Sequence, residues 1–273
     1  MTQHTFSSVG GFRTIVRTFF KSNGRHNLPW RNTRNPYRIL VSEIMLQQTQ
    51  ADRVIPKYKA FLKKFPTVHT LAQAPLGEVL REWQGLGYNR RAKMLHGAAK
   101  VIVEKHKGTV PLLYNELIQL PGVGDYTAKA VRVFAWNKPE VMIETNIRSV
   151  FIHHFFPNKV GVGDENLHPY MGEVLDTNNP REWYSALMDY GSYLKKTLPN
   201  PSRKSVHHVA QKPFKGSDRE IRGALLRLLS KKSSSVEDLY ELPFQRLRID
   251  TQIKALVKEG FIRSRGSRYM LQS

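Results

Sequence analysis

Apolar residues recur at helical spacing through most of the chain. Between Gly11 and Ser22, the side chains of Phe12, Ile15, Val16, Phe19 and Phe20 fall on one helical face, which Asn27-Leu28-Pro29 then breaks. The same period continues through about 37–49, 51–65, 68–74, 76–84, 89–106 and 112–119. Turns at Phe65-Pro66, Ala74-Pro75, Gly85-Leu86-Gly87 and Thr109-Val110-Pro111 separate these helices. Strand-like alternation is scarce before residue 255. Everything ahead of Pro199 is therefore expected to be all-α with short connections.

A polar, basic segment from Pro199 to Ser217 reads as a loop or linker, and a small separate unit follows it. Helices are expected at Arg219–Leu229, near Ser235–Glu241 and at Gln245–Glu259, the last ended by Gly260. Phe261 to Leu271 then alternates and turns at Arg265-Gly266-Ser267, a hairpin signal carrying Arg263, Arg265 and Arg268. Three helices and a basic hairpin predict a winged-helix-like α+β module. Such modules dock on DNA or on other proteins, or serve as a structural cap; the three arginines are the candidate DNA contacts.

Composition adds a partner class. Of 273 residues, 43 are Lys or Arg and 22 Asp or Glu, a formal net charge of +21, so polyanion binding is the first expectation. The 40% hydrophobic content is ample for a core. No apolar run approaches the roughly 18 residues that span a bilayer, and no signal-peptide pattern opens the chain. An intracellular protein of cytoplasm or nucleoid, away from membranes, is expected. The absence of cysteine excludes disulfides and thiolate metal sites within this chain; His207 and His208 are a weak alternative ligand pair, and no metal is expected.

The most informative stretch is Leu120-Pro121-Gly122-Val123-Gly124-Asp125-Tyr126-Thr127-Ala128-Lys129. Pro121 closes one helix, and the two glycines allow a tight turn that leaves amides uncovered at the start of the next. Such a turn holds a phosphate through Gly122, Val123 and Gly124, with Lys129 one turn on; it also occurs as an ordinary helix-Gly-helix connection. Two lone acids stand among apolar residues: Glu43 in Ser42-Glu43-Ile44-Met45-Leu46-Gln47-Gln48-Thr49-Gln50, and Glu144 in Met142-Ile143-Glu144-Thr145-Asn146. Taken singly, each also fits a helix cap or an ion pair. The pattern alone does not place them in one cleft; if they converge, they supply the pair glycosidic cleavage requires, an acid for the leaving group and a carboxylate for an oxocarbenium-like centre.

These motifs, with Leu28-Pro29-Trp30-Arg31, Pro36-Tyr37, Trp83-Gln84-Gly85-Leu86-Gly87-Tyr88 and Ala92-Lys93-Met94-Leu95-His96, resemble in order and spacing the helix-hairpin-helix base-excision DNA glycosylases, and among them the MutY adenine-glycosylase branch. The resemblance covers roughly residues 12 to 195. It implies a two-lobed helix-hairpin-helix glycosylase fold: 30–137 as a six-helix lobe with the hairpin, 1–29 and 138–216 as a second helical lobe, and 217–273 as the winged-helix-like module. It implies that Glu43 protonates the leaving base, that Gln48 and Tyr88 wedge into the stack, and that Trp30, Arg31, Leu46 and Asp189 line the pocket of the extruded base. Flipping is obligatory, because a glycosidic bond inside a stacked duplex is out of reach. Glu144 and Asn146 stand where the family carries its catalytic aspartate and companion asparagine. Tyr126 stands where bifunctional relatives carry a nucleophilic lysine, so a monofunctional enzyme is implied, leaving an abasic site for a downstream endonuclease.

The chain departs from the family in three places. Glutamate replaces the catalytic aspartate at Glu144. The four cluster cysteines of relatives fall here on Lys195, Ser202, Ser205 and Gln211, so no iron–sulfur cluster is expected, although a basic loop with Arg203, Lys204, His207 and His208 remains. The roughly 56 residues after Asp218 are too few for the Nudix-related domain with which such relatives recognise 8-oxoguanine, so that recognition is not expected from these residues. The expected function is excision of a flipped, mispaired adenine from double-stranded DNA by a monomer without cofactor. Thymine or uracil excision opposite guanine, and non-catalytic DNA binding on the same fold, are the alternatives.

Overall fold

The computed structural model describes residues 9–210 and 213–272. The first residues of the expected 1–29 segment and Gln211 lie outside that description. In chain order the helices are α1 (Val9–Asn23), α2 (Pro36–Leu46), α3 (Ala51–Lys64), α4 (Val68–Gln73), α5 (Leu76–Glu82), α6 (Arg90–His106), α7 (Tyr114–Leu117), α8 (Asp125–Trp136), α9 (Thr145–Phe155), α10 (Asp164–Val174), α11 (Pro180–Thr197), α12 (Asp218–Leu229), α13 (Val236–Tyr240) and α14 (Arg246–Lys258). Short 3-10 turns occur at Pro29–Asn32 and Pro201–Lys204. Strands β1 (Ser234–Ser235), β2 (Ile262–Arg265) and β3 (Arg268–Leu271) pair antiparallel in the order β1-β3-β2. The fold is predominantly helical, as expected.

The chain divides into two compact units, Met1–Ile39 with Gly124–Ala210 and Leu40–Val123 with Gln211–Ser273. These cuts fall inside α2 and inside the glycine hairpin, whereas the expected boundaries stand at 29/30, 137/138 and 216/217. In the first unit, α1, α9 and α11 share a core in which Phe12 is fully buried, its ring 5.5 Å from Phe151, 5.1 Å from Phe155 and 6.0 Å from Trp183. Burying one such ring contributes about 2–3 kcal/mol. Arg13 of α1 donates to the carbonyls of Val174 and Leu175 at 3.0 and 2.7 Å, satisfying the C-terminal end of α10.

In the second unit, Phe61 of α3 meets Phe65 at 4.9 Å and Trp83 at 6.0 Å, and all three are buried. Ile221, Leu225, Ile249, Ile253, Leu256 and Phe261 form the apolar interior of the C-terminal segment. That segment packs on α5 and α6. The Gly77 amide donates to the Gln272 carbonyl at 2.9 Å, Arg81 Nε donates to the Ser230 carbonyl at 3.1 Å, and Glu259 joins Arg90 (3.2 Å) to Arg222 (2.9 Å). Space at Gly77 is tight, since a Cβ would stand 3.2 Å from Leu271 Cβ and 3.3 Å from the Gln272 carbonyl. Burial pushes the Glu259 carboxyl up, but hydrogen bonds from Arg222 and Arg90 outweigh it and hold the group below its ordinary value.

Three elements differ from the sequence pattern. The helix expected at 112–119 is the single turn α7; Leu112 and Leu113 are exposed, and Leu113 is extended before it. The helix expected to reach residue 49 ends at Leu46, and Gln48 turns to a left-handed φ of 53°. Strand β1 was not expected: it is two serines, with Ser234 opposite Tyr269 and Ser235 opposite Arg268.

Candidate functional site

Glu144 sits at the N-cap of α9 with extended backbone (φ −133°, ψ 175°). Its Oε1 accepts from the Asn146 and Ile147 amides at 2.8 and 3.0 Å, and its Oε2 from Asn146 Nδ2 at 3.1 Å. Two of the orphan amides of the helix are thereby satisfied, and the positive end of the helix dipole faces the carboxylate. The longer glutamate side chain therefore still reaches a capping geometry that aspartate more commonly fills. Asn146 and Glu144, paired by the sequence reading, are in direct contact. Beneath them passes α11, and Gly191 makes this possible: a Cβ there would stand 2.0 Å from the Asn146 carbonyl oxygen.

Arg31 and Asp189 are also brought together in the first unit. Asp189 is 4% exposed and accepts from Arg31 Nη1 and Nη2 at 2.7 and 3.0 Å, from Arg25 Nε at 2.7 Å and from the Arg25 amide at 2.7 Å. Burial alone would raise this carboxyl; the bonds from Arg31 and Arg25 outweigh it and hold the group below its ordinary value. Trp30 is buried in the 3-10 turn beside Arg31. Arg181, unremarked in the sequence, donates to the carbonyls of Arg31 and Thr33 at 2.7 Å each and also to that of Phe134.

The hairpin has the turn its glycines predict. Gly122 has a φ of 78°, and a Cβ there would meet Met94 Cβ at 2.7 Å, so both conformation and space demand glycine. The Val123 amide donates to the Leu120 carbonyl at 3.0 Å and closes the turn, while Gly124 caps α8 with open space where a side chain would stand. Tyr126 packs against the core of the first unit, and Lys129 forms an ion pair with Asp125 at 2.9 Å.

In the second unit, Glu43 is 8% exposed on α2, one turn before Leu46. Gln48 and Tyr88, on separate loops, have left-handed φ values of 53° and 47° and line one cleft with Gly122. One side chain, missed by the sequence reading, holds both loops. Arg91 Nη1 donates to the carbonyls of Ile44 (3.0 Å), Met45 (2.9 Å) and Gln47, while Nη2 donates to Thr49 Oγ1 (3.0 Å) and to the carbonyls of Leu86 (3.3 Å) and Gly87 (3.2 Å). Burial pushes the guanidinium down to about 10, with Tyr88 opposing, so it remains a cation at neutral pH. Its signal in the sequence was its place: an arginine in the first turn of α6 opposes the helix dipole unless it has carbonyl partners elsewhere.

Positions where relatives carry cluster ligands hold other chemistry. Ser202 donates from its amide and Oγ to Asn200 Oδ1, Ser205 is buried, and the Val162 amide donates to the Lys204 carbonyl at 2.9 Å. A lysine and two serines supply no thiolate, so these residues do not fit a thiolate-held cluster, and their loop is stitched by its own hydrogen bonds. Among the described residues no group of three or more His, Cys, Asp or Glu is placed to hold a metal ion. Arg263 and Arg265 are exposed on β2, and Arg268 of β3 is anchored to Ser233. No described helix is long and apolar enough to cross a membrane.

The helical fold and its glycine hairpin define a helix-hairpin-helix protein. A model of the HhH-GPD superfamily base excision DNA repair protein matches residues 41–182, and the chain belongs to that superfamily. It is 34% identical over 187 residues to the adenine DNA glycosylase of Buchnera aphidicola subsp. Baizongia pistaciae, covering 67% of this chain and 52% of that one. To the adenine DNA glycosylase of Mycobacterium tuberculosis it is 46% identical over 247 residues, 81% of each chain. A thymine/uracil-DNA glycosylase of Methanothermobacter thermautotrophicus is 32% identical over 191 residues, covering 67% of this chain and 84% of the other. The chain spans about half the length of the Buchnera relatives. Among solved structures, a thermostable thymine-DNA glycosylase superposes with a TM-score of 0.61 at 28% identity, covering 67% of this chain and 86% of that one. A non-covalent endonuclease III–DNA complex shares the fold with a TM-score of 0.55 at 20% identity, covering 77% and 91%.

Proposed function

We propose that the chain is a monofunctional DNA glycosylase that hydrolyses the N-glycosidic bond of a flipped, mispaired base in duplex DNA, adenine opposite guanine or oxidised guanine in the first place. The observation that carries the reading is the Glu144 carboxylate, fixed by two amides of α9 and by Asn146. Glu43 donates a proton to the departing base, the C1′–N bond breaks, and Glu144 stabilises the positive charge that develops on the sugar. Water adds to C1′ and gives up its proton, leaving free base and an abasic site. Tyr126 offers no amine, so no Schiff base forms there. Gln48 and Tyr88 fill the stack, while Trp30, Leu46 and the Arg31–Asp189 pair support the pocket. Gly122 and Gly124 hold a phosphate, and the turn residue Val123 positions them.

The remaining parts of the proposal follow from the same reading. The partner is double-stranded DNA, the enzyme acts as a monomer in cytoplasm or nucleoid without an iron–sulfur cluster, and an abasic-site endonuclease acts next. The lobes 30–137 and 1–29 with 138–216 are its glycosylase parts, and 217–273 is a winged-helix-like module whose Arg263 and Arg265 meet phosphate. Similarity to thymine/uracil-DNA glycosylase supports a second reading, excision of thymine or uracil opposite guanine.

Duplexes carrying A opposite 8-oxoguanine, A opposite G, T opposite G and U opposite G, followed by alkali, separate these readings. Strand breaks at adenine that require alkali are expected. Breaks at T or U alone would replace the adenine reading with the second one. No breaks in any duplex, with binding retained, would leave a non-catalytic DNA-binding protein.

A further inference from the structure

Helix α14 lies beyond residues 41–182, which carry the family match, and its two faces differ in character. Ile249, Gln252, Ile253 and Leu256 are buried and form one stripe. Leu247, Thr251, Lys254 and Lys258 recur at helical spacing on the opposite side and are exposed, Leu247 at 77%. A single exposed leucine needs no explanation. A face that only meets water, however, ordinarily mixes both signs of charge, and this stripe has no acid on it. The one carboxylate within α14, Asp250, accepts from Tyr240 Oη at 2.7 Å, and Arg246 lies 5.2 Å from the centre of that ring.

Both ends of α14 are fixed, within the second unit, to the elements that carry Tyr88. At its start, Arg248 Nη2 donates to the Gly216 carbonyl at 3.0 Å and pairs with Asp218 at 2.7 Å, which sets the first turn of α14 against the first turn of α12. The next residue of α12, Arg219, is spent on holding this junction: Nη1 donates to Tyr88 Oη at 2.6 Å and Nη2 to the Pro213 carbonyl at 3.5 Å. At its end, the C-cap Glu259 takes Arg222 at 2.9 Å and Arg90 at 3.2 Å, and Lys93 of α6 donates to its carbonyl. The exposed stripe is therefore held in fixed relation to the Tyr88 loop. Strand β2 follows directly, with Arg263 and Arg265 exposed.

A basic stripe without acids, held beside a loop expected to enter DNA, fits a duplex. We infer that α14 enters the major groove of the duplex that Tyr88 engages, with Leu247 and Thr251 against base edges and Lys254 and Lys258 on flanking phosphates. The C-terminal segment is thereby a second grip on the DNA, to one side of the lesion. The major groove, about 12 Å wide, admits an α-helix. Leu247 to Lys258 spans about 16 Å at 1.5 Å per residue, which is about five base pairs at 3.4 Å per step. A leucine and a threonine distinguish bases poorly, so this grip adds affinity and reach with little sequence preference. The inference rests on the proposed function, but its test reads binding rather than excision. A parent chain that binds no duplex would sink that reading, whereas binding that ignores α14 would sink the inference alone.

The test uses the full chain and fluorescence anisotropy with duplexes carrying a tetrahydrofuran abasic analogue opposite G. Flanks are about 15 base pairs on both sides, or either one is cut to about 4, which removes the reach of α14 on that side. Lys254→Gln/Lys258→Gln should weaken binding to the long duplex by about tenfold and lower the salt slope by about 2, the share of two phosphates. That variant should also lose the parent's dependence on one flank and keep its dependence on the other. Thr251→Trp, which blocks the groove without changing charge, should weaken binding at least about fivefold, as overpacking of a close contact does. These side chains are exposed, so thermal melts should stay within about 2 °C of the parent. Parental affinity in the double variant would overturn the inference, as would Thr251→Trp binding at or above the parental affinity. A lowered salt slope with both flank dependences unchanged would show a long-range field rather than a groove contact, and would overturn it too.

Discussion

Replacement of Arg91 by methionine removes the side chain that ties the end of α2 to the loops presenting Gln48 and Tyr88. Five carbonyl oxygens and the Thr49 hydroxyl lose a donor. Ile44, Met45 and Leu86 are buried, so their carbonyls cannot all turn to water, and each orphaned group costs about 1–3 kcal/mol. Methionine recovers part of the cost of burying a cation, so the net loss is about 2–4 kcal/mol. At roughly 2–4 °C per kcal/mol for a chain of this size, the melting temperature should fall by roughly 5–15 °C. Arg91→Lys should fall between parent and Arg91→Met, because a single ammonium cannot span both loops. Circular-dichroism melts measure the loss, and hydrogen exchange at residues 47–49 and 86–88 should rise before exchange in α9. A melting temperature of Arg91→Met within about 2 °C of the parent would refute the clamp.

Gly191→Ala forces a Cβ to within 2.0 Å of the Asn146 carbonyl, so α11 must move away from α9; overpacking of this kind costs about 1–3 kcal/mol. Displacement of the Glu144 cap should lower single-turnover excision by roughly tenfold to a hundredfold, and an unchanged rate would show that α11 does not position Asn146. His154, hydrogen-bonded to Tyr190 at 3.0 Å, is pushed down to about 3 by burial, with His153 adding. The unfolded chain takes up that proton first, so stability is full above about pH 6.5 and declines as pH falls toward 3, by about 2 kcal/mol at about pH 5. His154→Gln should flatten the stability–pH curve over that window; an identical slope would contradict the burial argument. Because Tyr126 carries no amine, borohydride should trap no covalent adduct on a cleavable duplex, and efficient trapping would require a nucleophilic lysine elsewhere in the chain.

Helical periodicity made α1 through α6 and α12 through α14 legible, since each buries one stripe against a core. The ends were set by contacts distant in sequence: α2 stops at Leu46 where Arg91, far along the chain, takes its terminal carbonyls. The two-serine strand β1 has no alternation to reveal it and exists through pairing with β3. Glu144 with Asn146 and Arg31 with Asp189 were each named from motifs, and the contacts within each pair came only with the fold. Arg91 had only the unfavourable place of a cation in a first helical turn to mark it, and its carbonyl partners came with the fold; a glycine inside α11 shows its purpose only when the Asn146 backbone lies against it.

The proposed chemistry turns on Glu144 acting on the sugar of the flipped nucleotide. Glu144→Gln preserves size and can still accept from the α9 amides through its carbonyl oxygen, but lacks the charge that would stabilise a positive C1′. Single-turnover excision of adenine opposite guanine or 8-oxoguanine, measured with enzyme in excess, should drop by at least about a hundredfold, with duplex affinity within about threefold of the parent. Excision by Glu144→Gln at the parental rate would contradict the claim and remove Glu144 from the chemistry.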